Sequence, residues 1–369
     1  MQVPFLALDR QTAELRSELD RAIGRVLDSG RFVLGEEVER FEDEWASYVG
    51  APFAVGVASG TDALSIALGA LGVGTGDEVV TAANTCVPTV AGIEASGATP
   101  VLADVEPVTR TLDPERLAEA LSPRTKAIVP VHLYGQCAEL DPILELARAR
   151  GLLVIEDCAQ SHGARYGDRR AGSLGDAAAF SFYPTKNLGA AGDAGAVIAR
   201  DGHVAERARL LRNFGESGRF RHLTRGRNSR LDALQAAILR AKLPLLEGWN
   251  ERRRELAGRY TEALAGTALE LPAEAPGRRH VYHLYVVRAP ERDRFRAALR
   301  ERGVETDVHY PLPVHRQPAY AGLTPAGRGL EVSEALADSV VSLPLSPELT
   351  DEEAAWVAQA TYEAASALR

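Results

Sequence analysis

Asp157 ends the apolar run Leu152-Leu153-Val154-Ile155-Glu156-Asp157, and Lys186 closes the run Ser181-Phe182-Tyr183-Pro184-Thr185-Lys186. Each reads as a charged group delivered by the end of a β-strand. A carboxylate can hold a protonated pyridine nitrogen, and an amine can condense with an aldehyde to a Schiff base. Together these are the two groups that pyridoxal phosphate chemistry requires. Taken singly they are ordinary: Asp157 reads equally well as the cap of a following helix, and a lone lysine is usually a solvated surface group. Gly189, Gly192 and Gly195 follow Lys186 closely and allow a close backbone approach that a surface lysine does not need.

Ser59-Gly60-Thr61-Asp62-Ala63 lies between a strand pattern and a helix pattern, so its amides and hydroxyls sit at a helix N-terminus, where a phosphate is stabilised. The same turn read alone is a simple helix cap. Ser181 supplies a second hydroxyl near Lys186 and, with the amides at 60–61, can complete a phosphate cup. Gln160, three residues after Asp157, is placed to donate to a ring hydroxyl, and His162 reads as a satisfied polar residue.

The elements that must position these groups alternate regularly. Strand patterns at 53–58, 77–82, 99–105, 127–133, 152–157, 177–183 and 195–199 are separated by helical ones, which predicts an α/β layer with a largely parallel sheet. Ligands of such sheets gather at the carboxyl ends of strands, where Asp157 and the run 181–186 lie. Residues 61–71 place Ala63, Leu64, Ala67, Leu68 and Leu71 on one helix face, and Asp113-Pro114-Glu115 opens another helix. An amphipathic helix over 230–243 ends at Pro244, and a long charged helix runs from 245 to 264. A strand at 281–288, a helix at 292–302 and a final helix from Asp351 complete a smaller α+β part. The expected division is a large cofactor-binding domain with an N-terminal arm over 1–245 and a small C-terminal domain over 246–369.

The composition is that of a globular protein, with 46% hydrophobic and 25% charged residues among 369. A net charge of −9 gives no overall attraction to nucleic acid or to an anionic membrane, so any anion site is local. No stretch reads as a membrane span or signal peptide, which makes the cytoplasm the expected location. Cys86, Cys137 and Cys158 are widely spaced and read as reduced thiols. His132, Cys137, Cys158 and His162 lack metal-ligand spacing, and no metal is expected.

Ser59-Gly60-Thr61, Glu156-Asp157-Cys158-Ala159-Gln160, Ser181 to Gly189, Asn228-Ser229-Arg230-Leu231-Asp232 and His309-Tyr310-Pro311, in that order, resemble the DegT/DnrJ/EryC1/StrS aminotransferases over essentially the whole chain. The resemblance implies the fold type I of aspartate aminotransferase, pyridoxal 5'-phosphate alternating with pyridoxamine phosphate, and nucleotide-linked keto sugars as substrates. It makes Lys186 the Schiff-base lysine, Asp157 the partner of the pyridine nitrogen, and Gln160 the partner of the ring hydroxyl. Gly60, Thr61 and Ser181 then hold the phosphate. Asn228 matches the residue that reaches the cofactor phosphate of the neighbouring subunit, which implies a homodimer with shared sites. Many members carry an aromatic over the ring where Asn84-Thr85-Cys86-Val87-Pro88 stands, so Cys86 is a departure: either ring stacking is weaker here or the Cys86 sulfur supplies the cofactor contact.

The stretch from Glu216 to Arg227 concentrates positive charge, and Arg219 and Arg221 are the candidates for the nucleotide's phosphates. By resemblance His309 and Tyr310 line the sugar pocket, with Tyr183 near lysine and substrate. The closest likeness is to enzymes that aminate carbon 3 of a dTDP-linked 3-keto-6-deoxyhexose with L-glutamate as donor. Amination at carbon 4 and of a keto-inositol stay open. So do two other classes, a pyridoxamine-phosphate-dependent sugar dehydratase, in which a histidine replaces the lysine, and a non-catalytic regulatory member.

Overall fold

Short runs of Val, Ile and Ala bounded by Gly, Pro or charge are too brief for helices, and each forms a strand. In the computed structural model, which describes residues 1–323 and 326–368, these are β1 (Phe53–Val57), β2 (Glu78–Ala82), β3 (Thr99–Ala103), β4 (Thr125–Val129), β5 (Leu153–Asp157), β6 (Ala177–Ser181) and β7 (Gly195–Ala199). They build one seven-stranded sheet in the order β1-β7-β6-β5-β4-β2-β3. The strands from β6 to β3 run parallel, and β7 joins β6 and β1 antiparallel. The chain is therefore an α/β protein with a mixed, mostly parallel sheet.

Several strands end earlier than the apolar pattern predicts, the run 99–105 at Ala103 among them, and two of the shortened runs lead into the site. The runs 127–133 and 177–183 leave the sheet after Val129 and Ser181. Their remaining residues serve the site instead: Val131 and Leu133 line its cavity, and Phe182 is buried beneath it.

Helices cover the sheet. Residues Arg16–Ser29 (α1) and Glu36–Val49 (α2) precede it; the pattern-based reading did not identify them. Gly60–Ala70 (α3) and Val87–Ala95 (α4) follow β1 and β2, and Pro114–Ala120 (α5) begins at Asp113, whose side chain accepts from the Glu115 amide. Ala233–Lys242 (α6) and Leu246–Ala263 (α7) are joined by a tight turn at Leu243–Leu245 that contains Pro244.

In the C-terminal part, β8 (Tyr285–Arg288) pairs antiparallel with β9 (Val340–Leu343), flanked by α8 (Arg292–Glu301) and α9 (Asp351–Ser366). Thr350 and Glu353 form a reciprocal capping box at the start of α9. Tyr260, Tyr285, Phe295, Leu299, Val341 and Val357 make its core. That part is not isolated from the large sheet, because Leu284, Val286, Val308 and Val340 pack with Val80, Ile128 and Val154. The N-terminal segment closes on it too: Val3 bridges to Val304, donating to the Gly303 carbonyl at 2.8 Å and accepting from the Glu305 amide at 3.1 Å.

Candidate active site

A cavity of about 330 Å³ opens at the carboxyl ends of the central strands and is lined by Gly60, Thr61, Cys86, Thr89, Asp157, Gln160, Ser181, Tyr183, Lys186 and Asp193, among others. Its volume lies in the range of small-molecule sites. No hydrogen bond among the described residues ends on Lys186 Nζ. Burial pushes the Lys186 ammonium below its ordinary value, with Cys86 and Asp157 acting the other way.

The turn that carries Lys186 is fixed by backbone bonds, Lys186 donating to the Tyr183 carbonyl and Phe182 to that of Ala194, both at 2.8 Å. Gly189 passes so close to Pro184 that a Cβ there would lie 2.3 Å from its carbonyl oxygen. The nearest atom to a Cβ on Gly192 would be Gln235 Nε2 at 3.2 Å, so that glycine meets only a side chain.

Asp157 is buried at the end of β5. Its Oδ2 accepts from Thr89 Oγ1 at 2.8 Å and its Oδ1 from the Ala159 amide at 3.1 Å. Thr89 in turn meets Thr85 Oγ1 at 2.8 Å. Neither threonine was singled out from the sequence. Thr89 lies in the first turn of the helix Val87–Ala95, whereas Thr85 precedes its N-cap, Cys86, so no single periodic pattern joins the two.

Gln160 is buried with its Oε1 accepting from the Tyr134 amide at 2.7 Å, while Nε2 donates to the Tyr310 hydroxyl at 3.0 Å. At the N-terminus of α3, Ser59 Oγ accepts from the Asp62 amide at 3.1 Å, so Ser59 is a true cap. The first amides of that helix, at Gly60 and Thr61, have no helical acceptor and face the cavity with Ser181. A Cβ on Gly60 would lie 2.5 Å from Ser181 Cβ, which explains why only glycine fits between them.

His162 differs from expectation. It sits in a box of Trp45, Phe180 and Phe182 with neither ring nitrogen hydrogen-bonded, and burial lowers its pKa to about 3. His132, Glu156 and Cys158 cluster closely enough to suggest a metal site. The ligand atoms of His132 and Glu156 are already used. Glu156 accepts from His132 Nε2 and from the amides of Gly172, Leu174 and Gly175 at 2.7–2.9 Å, and His132 Nδ1 accepts from the Ala138 amide. The cluster is structural.

Five predicted residues lie elsewhere in the same chain. Arg219 and Arg221 are exposed on the hairpin formed by Glu216–Gly218 and Arg221–His222. Asn228 is exposed, its Oδ1 accepting from Arg230 Nε at 3.0 Å. His309 and Tyr310 flank the cavity from behind Gln160, His309 Nδ1 meeting Ser342 Oγ at 2.8 Å. None of the five is a lining residue of this chain's own cavity.

These residues fit pyridoxal phosphate: an amine free of partners, a buried carboxylate, an amide donor, and helix amides beside a serine hydroxyl share one cavity. Fold and site define a pyridoxal-phosphate-dependent aminotransferase. The family's model, that of the DegT/DnrJ/EryC1/StrS aminotransferases, matches residues 13–361, and the chain belongs to that family. It is 49% identical to dTDP-3-amino-3,4,6-trideoxy-alpha-D-glucose transaminase of Streptomyces venezuelae, over 98% of this chain and 96% of the relative. A chain from Geobacillus stearothermophilus named a pleiotropic regulatory protein is 45% identical, over 98% of both. The solved structure of S. venezuelae DesV in complex with a ketimine intermediate superposes with a TM-score of 0.96 at 49% identity, over 98% of both chains.

Proposed function

We propose that the protein transfers the amino group of L-glutamate to carbon 3 of a dTDP-linked 3-keto-6-deoxyhexose. The observation that carries this is the near end-to-end likeness to a transaminase named for such a sugar, in a chain whose cavity keeps both Lys186 and Asp157. The relative named as regulatory favours a silent member, but a partner-free lysine beside a buried carboxylate favours catalysis. Lys186 also argues against a dehydratase, which would carry histidine there.

When bound, pyridoxal phosphate supplies a carbonyl that takes up the amino group and a ring that draws off an electron pair. Lys186 would anchor the cofactor, and its freed amine would carry a proton to and from the amino acid's α carbon. Its lowered pKa keeps more of the amine neutral for that task. Asp157, oriented by Thr89 and the Ala159 amide, holds the ring nitrogen protonated. Gln160 donates to the ring hydroxyl, and Gly60, Thr61 and Ser181 take the phosphate. Cys86, which lines the same cavity, would meet the ring.

In the same reading the protein is a homodimer, and Asn228 of the partner subunit completes the phosphate site. The hairpin cations Arg219 and Arg221 bind the nucleotide's diphosphate, and Tyr183, His309 and Tyr310 belong to the sugar side. The division at 245/246 separates the cofactor-binding part from the C-terminal part. Three free thiols fit work in the cytoplasm, and no described helix is long and apolar enough to cross a membrane.

The test is to incubate the holoenzyme and glutamate with a dTDP-3-keto-6-deoxyhexose, its 4-keto isomer, a UDP-linked 3-keto sugar and a keto-inositol, detecting the amine by mass. The dTDP-3-keto sugar is expected to react fastest. Preference for any other ketone overturns the assignment.

A further inference from the structure

Tyr310 stands behind Gln160. Its phenol accepts from Gln160 Nε2 at 3.0 Å, and the other end of the same amide is fixed because Tyr134 N–H can only donate, at 2.7 Å, to Oε1. The amide therefore has one orientation, with one Nε2 hydrogen on Tyr310 and the second free toward the cavity that Gln160 lines. The Tyr310 hydroxyl is in turn placed against the Cys86 thiol, and burial keeps it protonated. Its neighbour His309 is held by Ser342 of β9, stacks on Phe5 at 5.9 Å, and accepts at its carbonyl from the Tyr134 hydroxyl. Tyr134 thus touches both ends of the arrangement, its amide on Gln160 and its hydroxyl on residue 309.

We propose that Tyr310 is a positioning residue that acts on the cofactor through Gln160, setting the strength of the hydrogen bond that Gln160 gives to the cofactor's ring hydroxyl. The inference rests on the proposed role of Gln160 and moves Tyr310 from sugar contact to cofactor tuning.

A weaker bond to the ring oxygen leaves more negative charge there, which favours the protonated form of the nitrogen that joins the cofactor to Lys186. The holoenzyme's visible cofactor band, titrated with pH without any sugar, reads that proton directly. Tyr310→Phe removes only the hydroxyl. Its apparent pKa is expected to rise by about half a unit, and the glutamate half-reaction is expected to slow. Gln160→Leu, which tests the underlying role of Gln160, is expected to shift the band further in the same direction. A Gln160→Leu shift with an unmoved Tyr310→Phe titration overturns the proposal while leaving the role of Gln160 intact. So does a Tyr310→Phe enzyme changed only in KM for the nucleotide sugar. A packing role for the hydroxyl would lower the melting temperature but leave the band in place.

Discussion

Glu156 and Asp157 are neighbours on one strand and face opposite ways: Glu156 is enclosed behind the sheet by four hydrogen-bond donors, whereas Asp157 meets the cavity and Thr89. The strand's two-residue period separates the carboxylates. A slip of one residue would exchange them and strip both of their partners, so the buried Glu156 fixes the register on which Asp157 depends.

Thr89→Val tests what holds Asp157. Losing a hydrogen bond to a charged group costs about 1.5–3 kcal/mol, so kcat is expected to fall roughly 10- to 100-fold with little change in glutamate KM. Single-turnover kinetics of the glutamate half-reaction would check this, and unchanged kinetics would remove Thr89 from the site.

Lys186→Ala removes the proposed anchor and proton carrier. Transamination is expected to drop by more than about a thousandfold, and the visible cofactor band is expected to vanish from the purified protein. Absorbance spectroscopy and amine detection measure the two independently.

The proposed shared sites predict complementation. Lys186→Ala and Asn228→Ala proteins, mixed after reversible dissociation, form hybrids with one intact site built from Lys186 of one chain and the native Asn228 of the other. Recovery toward about a quarter of wild-type activity is expected for random pairing. No gain over the unmixed proteins would place Asn228 outside the partner's site.

His162 sets an acid limit on stability. The unfolded chain takes up a proton near pH 6.5, while the folded one resists until about 3. Between those values the unfolded state binds more protons, so stability falls as pH falls, by about 1.4 kcal/mol per unit. His162→Phe is expected to spare about 2 kcal/mol of the loss between pH 8 and pH 5, read from urea midpoints. Parallel pH profiles for the two proteins would contradict this.

Most of the scaffold was legible because short apolar runs alternate with helical ones, and each of the seven sheet strands lies within two residues of its run at the N-terminal end. The C-terminal ends of β4 and β6 were not, since Val131, Leu133 and Phe182 are as apolar as the strand residues they follow and only tertiary packing turns them to the site. Lys186, Asp157, Gln160, Gly60, Thr61 and Ser181 do converge on one cavity. Thr89 escaped notice because a helical threonine has no pattern of its own, and α1 and α2 because their apolar faces are sparse among charges. For the hairpin arginines and Asn228, a single chain shows only that they are exposed and do not line its own cavity.

Val3 is held by residues 303–305, and Phe5 stacks on the His309 ring that precedes Tyr310. On a ribosome adding about 5–20 residues per second, the first segment must wait on the order of 15 to 60 s for its partners to emerge. Gln160 gains its Tyr310 contact only after that delay. The nascent chain can thus fold its central sheet early, while a finished active site arrives only once synthesis is nearly over.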